Sequence, residues 1–428
     1  MRCALVVVAA LFAAACHRRA SLNVLIVTID TARADAFGVY GSRLRASPTV
    51  DRVAARGVVF ESATTPVPLT LPSHTSLFTG TFPPHHGVRE NGSNNVPQGL
   101  ITLAELFHNN GYRTGAFVAA YVLDARWGLN QGFDTYSGNF DATRTDVFSL
   151  ADLQRPANEV IDDALPWLLT NGNQEKPFFA WVHLFDPHMP YAPPSPFRER
   201  FANNPYAGEI AFADSQLARL LDKVDLTRTI VVIAGDHGEG FGEHGEHGHG
   251  LLLYEETLHV PLIIASPAGL PRGIRVPTPV SLVDIYPTLA ELVDLQSPPV
   301  QGHSLVPLCR GSRTHPTPIY AETLYPRRRF GWSELRALRD GSRKLIDSSR
   351  PELYDLREDP RESHDLAAAR PEVLRERRGE LKKAVAVLEQ NPATQSAAAI
   401  DADTMRSPNL RPRNAESTAT DRRSAIFP

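Results

Sequence analysis

Asp30, Thr70, Asp236 and His237 lie far apart in the sequence but together have the side chains needed to hold a divalent ion and present a hydroxyl to an ester. Two carboxylates and an imidazole form a hard-to-borderline ligand set that suits one cation such as Ca²⁺, Mn²⁺ or Zn²⁺. Thr70 can add a fourth oxygen, and a cation beside it would lower the pKa of its hydroxyl and draw charge from the ester oxygens. Standing alone, Asp30 would read as a cap after a strand and Thr70 as a helix N-cap. Thr70 opens the stretch Thr70-Leu71-Pro72-Ser73-His74-Thr75-Ser76-Leu77-Phe78-Thr79-Gly80. Pro72 falls in a first turn that tolerates a missing N–H, and Gly80 falls where a helix stops. The stretch predicts a short helix with Thr70 at its N-terminus, where free backbone N–H groups and the helix dipole favour attack on a sulfate or phosphate group.

Two further places could take part. Asp236-His237 begins a glycine- and histidine-rich tract running to Gly250, which reads as a mobile polar loop carrying catalytic groups. Such a tract can also bind metal loosely with no part in turnover. His188, set between Pro187 and Pro190, is well held for proton donation to a leaving group. His183 sits inside the apolar run Phe178–Phe185 and reads as a satisfied core histidine rather than a ligand.

The elements that must position these groups follow a pattern. Leu22–Ile29 runs into Asp30, Phe178–Phe185 into Asp186-Pro187-His188, and Thr229–Gly235 into Asp236-His237. Each apolar run predicts a buried strand, and helical patterns such as Val50–Gly57 and Glu209–Leu221 lie between them. Alternating strands and helices argue an α/β fold with a mostly parallel sheet flanked by helices, whose ligands sit outside the carboxyl ends of the strands. The three clusters should therefore meet in one crevice. Past residue 310, Lys344–Ile346 and Glu352–Leu356 read as strands and Pro371–Lys383 as a charged helix, giving a small C-terminal α+β subdomain over 311–389. Residues 390–428 read as a disordered tail.

At 428 residues and 42% hydrophobic content the chain can bury a large core, and a formal charge of −4 carries no nucleic-acid signal. Arg2 and the apolar run Ala4–Ala15 read as a signal peptide over 1–15, too short to span a bilayer. Small residues directly before Cys16 resemble a bacterial lipobox, which implies lipid attachment at Cys16, a short linker over 16–21 and a catalytic domain over 22–310. A plain secretory cleavage nearby is the alternative. Cys309 is then the one thiol left, so no intramolecular disulfide is expected. The chain should face the periplasm or the surface of a bacterial cell envelope.

Taken together the chain resembles the sulfatases and, behind them, the alkaline phosphatase superfamily, over about residues 22 to 390. The resemblance rests on Asn23–Asp30, the Thr70–Gly80 block, Gly111–Thr114, Gly128–Asp134, Pro187–Pro190, Asp236–Gly238, Tyr254-Glu255 with Val260–Ile263, and Leu353–Leu356 with Asp359-Pro360. It implies an alkaline-phosphatase-like fold, metal ligation by Asp30, Asp236, His237 and the nucleophile, and Thr31 at a second ligand position. It also places Asn91 and His188 on the oxygens of the transferred group. A sulfatase with a Cys/Ser-x-Pro-x-Arg motif converts its first residue to formylglycine. Here the frame reads Thr70-Leu71-Pro72-Ser73-His74, so no formylglycine is expected. His74 stands in the place of the assisting arginine, and His249 where a lysine usually contacts substrate. The implied activity is a metal-dependent hydrolase cleaving a sulfate or phosphate ester of a small molecule, glycan or lipid through Thr70, with His188 or His249 protonating the leaving oxygen. A Thr nucleophile also resembles the superfamily's phosphodiesterases, phosphonate hydrolases and phosphoethanolamine transferases. A catalytically silent binder of sulfated or phosphorylated glycans is the remaining alternative.

Overall fold

The computed structural model describes residues 22–140, 153–172, 174–312 and 318–393. The signal peptide, the Cys16 anchor and nearly all of the expected C-terminal tail lie outside the described residues. Among the described residues no helix is long and apolar enough to cross a membrane.

Eight strands form the central sheet: β1 (Asn23–Ile29), β2 (Val58–Phe60), β3 (Arg113–Phe117), β4 (Thr135–Ser137), β5 (Phe178–Leu184), β6 (Thr229–Gly235), β7 (Leu262–Ala265) and β8 (Ile274–Val276). Their order is β8-β2-β7-β6-β1-β5-β3-β4. β7 runs antiparallel to both its neighbours, and every other pairing is parallel. The three central strands, β6, β1 and β5, are wholly buried and apolar save for Asn23, Thr28, His183, Thr229 and Gly235, as expected of strands covered on both faces.

Register is what brings the chemistry together. Ile29 pairs with Leu184 on one side and Gly235 on the other, so Asp30, Phe185 and Asp236 leave the sheet side by side. Helices α1 (Pro48–Ala54), α2 (Thr70–Thr79), α3 (Ala157–Gly172) and α4 (Pro205–Leu221) cover the sheet. The strands and helices read from the sequence are all present, with ends shifted by a few residues.

Helix α2 is buried along its whole length although six of its ten residues carry hydroxyl or imidazole groups. It can be buried because its hydroxyls bond back one turn: Thr75 to the Leu71 carbonyl at 2.8 Å, Ser76 to Pro72 at 3.0 Å and Thr79 to Thr75 at 2.7 Å. Phe78 packs on Trp181 with ring centroids 4.6 Å apart, and Gly80 ends the helix at φ 63°.

The C-terminal part is an antiparallel sheet of β9 (Ile319–Thr323), β10 (Leu335–Asp340), β11 (Arg343–Asp347) and β12 (Glu352–Asp355), with helices α5 (Tyr325–Phe330) and α6 (Pro371–Leu388). A buried charge cluster rivets it to the sheet domain. Lys344 Nζ, 1% exposed, lies 2.9 Å from Glu255 and 2.8 Å from Glu362, and Arg339 reaches Glu255 at 3.3 Å.

Candidate active site

Thr70 is the first residue of α2, with its side chain toward the carboxyl ends of β1 and β6. Its Oγ1 lies 3.3 Å from His237 Nε2, which is 3.5 Å from Asp30 Oδ1 and 3.7 Å from Asp236 Oδ2. The ligand atoms of Asp30, Asp236 and His237 all fall within 4.8 Å of one another and are buried. Both Asp30 oxygens, Asp236 Oδ2 and Thr31 Oγ1 are buried without a hydrogen-bond partner. The three orphaned carboxylate oxygens of Asp30 and Asp236 form a cradle for a cation, since burying such atoms unpaired is costly. Thr31 sits at φ 49° in the turn that follows Asp30, and its carbonyl accepts from Tyr206.

Tautomers separate the ligand histidine from the props. His237 donates Nδ1–H to the Gly238 carbonyl at 3.0 Å, which leaves the Nε2 lone pair facing Thr70 and Asp30. His183 accepts the Ala119 N–H at Nδ1, so its proton is on Nε2 and is aimed at Asp30 Oδ2, 3.5 Å away. It is buried in β5 as the sequence suggests, but it is not fully satisfied: Nε2 makes no hydrogen bond, and His183 forms with His74 and Asp236 a second group whose ligand atoms lie within 4.8 Å of one another. His74 does not meet the expectation of a catalytic group. It is fully buried, donates Nδ1–H to the Thr70 carbonyl at 2.8 Å and accepts from Thr28 Oγ1 at Nε2 at 2.9 Å. Trp181 Nε1 in turn donates to Thr28. Both ring nitrogens are spent behind Thr70, so His74 positions the Thr70 backbone.

The electrostatics suit a divalent cation at this point. Burial pushes the Asp236 carboxyl well up, and the neighbouring Asp30 carboxylate adds to it. For Asp30 burial acts to raise the carboxyl, yet it is held below the usual carboxylate range, with the neighbouring His183 ring the largest opposing influence. Two adjacent carboxylates that cannot ionise comfortably together are what a divalent cation would relieve. Burial, and next the charge on His249, keep His237 neutral and able to ligate. Burial likewise drives His74 down to about 3.

In front of Thr70 opens a cavity of about 390 Å³ whose lining includes Asn91, His188, His249, Glu90, Tyr325 and Arg329. Asn91 Oδ1 accepts the Leu71 N–H at 2.9 Å. One helix-start N–H expected to be free is therefore taken, and the Asn91 amide NH₂ becomes the donor available to a ligand. His188 and His249 each spend Nδ1–H elsewhere, on the Met189 carbonyl at 2.7 Å and on Glu239 at 2.9 Å, leaving Nε2 for the cavity. Burial lowers His188. Burial also opposes the charged form of His249, but the Glu239 carboxylate outweighs it and raises the imidazole. The pair therefore offers a base and an acid side by side, with ring centroids 5.3 Å apart.

The tract from Asp236 to Gly250 is not the mobile loop its composition suggests. Glu239 is buried between His249 and the Tyr191 hydroxyl, and Glu246 accepts the N–H groups of Leu251 and Leu252 at 2.7 and 3.0 Å. His244 stacks on Tyr254 with centroids 3.7 Å apart and bonds Glu256 at 2.7 Å. A Cβ on Gly238 would collide with the Glu256 carbonyl, so glycine here serves close packing. Sequence reading also missed Tyr325 and Arg329; the run Arg327-Arg328-Arg329 between Tyr325 and Phe330 was the available signal.

The Sulfatase family profile matches residues 22–295, and the profile for the N-sulphoglucosamine sulphohydrolase C-terminal region matches residues 242–390. An uncharacterized sulfatase, YidJ, from Escherichia coli is 25% identical over 80% of this chain and 82% of its own length. Among solved structures, Ps i-CgsB in complex with k-i-k-neocarrahexaose superposes with a TM-score of 0.74 at 22% identity, over 87% of this chain and 94% of that one. The phosphonate monoester hydrolase of Agrobacterium radiobacter superposes with a TM-score of 0.71 at 22% identity, over 85% and 96%. Both structural likenesses concern the fold.

Proposed function

Because the chain belongs to the sulfatase family of sulfuric ester hydrolases, we propose that it cleaves a sulfate or phosphorus ester through Thr70 in a metal-dependent reaction. The observation that carries this reading is Thr70 Oγ1, 3.3 Å from the His237 lone pair, with His237 grouped with the orphaned carboxylate oxygens of Asp30 and Asp236. Asp30, Asp236 and His237 would hold the ion, with Thr31 at its edge. When bound, a divalent cation would acidify the Thr70 hydroxyl and screen the oxygens of the transferred group.

The chain's own groups supply the rest. His74 fixes the Thr70 backbone. The Asn91 amide donates to an oxygen of the transferred group. Thr70 Oγ1, its proton released to solvent, attacks sulfur or phosphorus in line as the bond to the leaving oxygen breaks, and that oxygen takes the His249 proton. Neutral His188 then takes a proton from the water that cleaves the Thr70 adduct. The Glu239 carboxylate keeps the His249–Glu239 pair near zero net charge, so the site should favour singly charged diesters and sulfates over dianionic monoesters.

A phosphorus ester is the second reading, favoured by residue 70 itself. Threonine has no second hydroxyl through which its adduct could collapse, so release requires water at the transferred atom. We place the protein at the bacterial cell envelope as a lipoprotein, supported by the apolar run before Cys16. The test is turnover of matched aryl sulfate, phosphomonoester, phosphodiester and phosphonate substrates with Mn²⁺, Zn²⁺ or Ca²⁺, with EDTA and Thr70→Ala controls. Turnover of one ester class, abolished by both controls, supports the reading. A folded protein that turns over nothing would make it a binder.

A further inference from the structure

We propose that the segment 325–332 forms the leaving-group subsite, where Arg329 binds a second negative charge on an acidic saccharide and Phe330 and Trp332 carry the ring beyond it. The orientation rests on Thr70 being the attacking group.

Thr70, 3% exposed, and the exposed Arg329 line the same cavity, which therefore runs from a buried side at Thr70 to an open side at Arg329. In-line displacement puts the leaving oxygen opposite Thr70 Oγ1, so the leaving group points to the open side. There the wall is α5 of the C-terminal part, with Tyr325 and Arg329 facing the cavity.

Three consecutive arginines on α5 differ in their partners. Arg327 pairs with Glu334 at 2.6 Å and Arg328 with Glu90 at 3.3 Å. Arg329 has no carboxylate partner among the described residues; its guanidinium lies 5.8 Å from the centre of the Tyr325 ring. A guanidinium left unpaired in a cavity wall selects a planar or tetrahedral anion on the ligand. Just past it Phe330 and Trp332 stand 52% and 62% exposed, with ring centroids 5.0 Å apart and planes 30° apart. Large aromatic rings held open to water beside a cation suit a ligand with one charged substituent and one flat, weakly polar face. A sugar ring bearing a carboxylate or sulfate has both. A purely apolar partner would leave Arg329 unpaired, and a nucleic acid would find two of the three arginines already neutralised.

Binding separates this proposal from the chemistry. In the full chain carrying Thr70→Ala, tetrasaccharides from chondroitin sulfate, heparin and carrageenan are titrated by calorimetry, alongside their desulfated and carboxyl-reduced forms. Adding Arg329→Gln should weaken the best ligand about tenfold or more, an effect that shrinks with salt and with removal of the ligand's second charge. Arg329→Lys should recover part of it. Trp332→Ala, at an exposed position, should weaken binding several-fold at every salt concentration. Binding by the Thr70→Ala protein that neither substitution changes overturns the subsite. So does binding of no tetrasaccharide at all, or of aryl carboxylates in their place. Arg329-dependent binding without turnover of any ester would sink the catalytic reading and leave the subsite standing. Thr70-dependent turnover with kcat/KM indifferent to both substitutions would do the reverse.

Discussion

His237 Nε2 faces Thr70 Oγ1 across 3.3 Å with its lone pair, because the ring's only proton is given to the Gly238 carbonyl. The same lone pair lies 3.5 Å from Asp30, so one nitrogen faces both the proposed nucleophile and the Asp30 carboxylate. Removing either carboxylate should therefore empty the site of metal. Asp30→Asn or Asp236→Asn should bind a divalent ion at least about 100-fold more weakly, read as metal content after dialysis. His183→Gln, which alters a prop, should keep most of the metal.

His74 is the clearest case of a residue acting through another. Replacing it with Ala leaves the buried Thr70 carbonyl and Thr28 hydroxyl short of a partner, at a stability cost of about 1–3 kcal/mol. The displaced Thr70 should lower kcat on the order of 10- to 100-fold while KM changes little. Equal kcat in the variant, measured at saturating substrate, would remove His74 from the account.

If His249 is the proton donor proposed above, the Glu239–His249 pair should set the alkaline side of the pH profile. Burial alone would lower His249 from its ordinary 6.5, and Glu239 reverses that. Activity that needs the protonated ring should fall as pH rises through this raised pKa. Glu239→Gln removes the opposing carboxylate, so the alkaline limb of kcat/KM should move to lower pH. An unmoved limb would assign it to another group.

How much of this could be read from the chain depended on whether the physics was local. The strand ends at Asp30 and Asp236 and the helix from Thr70 to Gly80 announce themselves through apolar runs, Pro72 and Gly80. The meeting of Asp30 and Asp236 follows from parallel pairing, which the alternation of elements implies. Tautomers could not be read, because the partner of each ring, such as Thr28 for His74 or Ala119 for His183, comes from a distant segment. The Asp236–Gly250 tract misled for the same reason. Its glycines look mobile until Glu256, Tyr254 and Tyr191 are seen to pin them. Arg329 belongs to the C-terminal part, and only the packing of that part on the sheet brings it into the cavity.

That packing depends on Lys344. For Glu255, burial is outweighed by Lys344 and then Arg339, which hold the carboxyl down at about 2. A carboxyl depressed in the folded state stabilises it above the ordinary 4.5, and that contribution is lost as pH falls toward about 2. Lys344→Met leaves the buried Glu362 without its cation and Glu255 with Arg339 alone, and should cost about 3–5 kcal/mol near pH 7 by urea denaturation. The gap to the parent should begin to narrow as pH falls below about 7, where Glu362, raised to about 7 by burial, takes up a proton, and should go on narrowing toward about 2 as Glu255 follows.

The most direct measurement is the state of Thr70 itself during turnover. The metal-loaded protein is mixed with its best ester, quenched in acid and mapped by peptide mass. The account requires residue 70 to be an unmodified threonine before mixing and to carry one sulfuryl, phosphoryl or phosphonyl group afterwards. It also requires a Thr70→Ala protein to show neither the adduct nor turnover. Turnover that survives Thr70→Ala, or an adduct on another side chain, would contradict it.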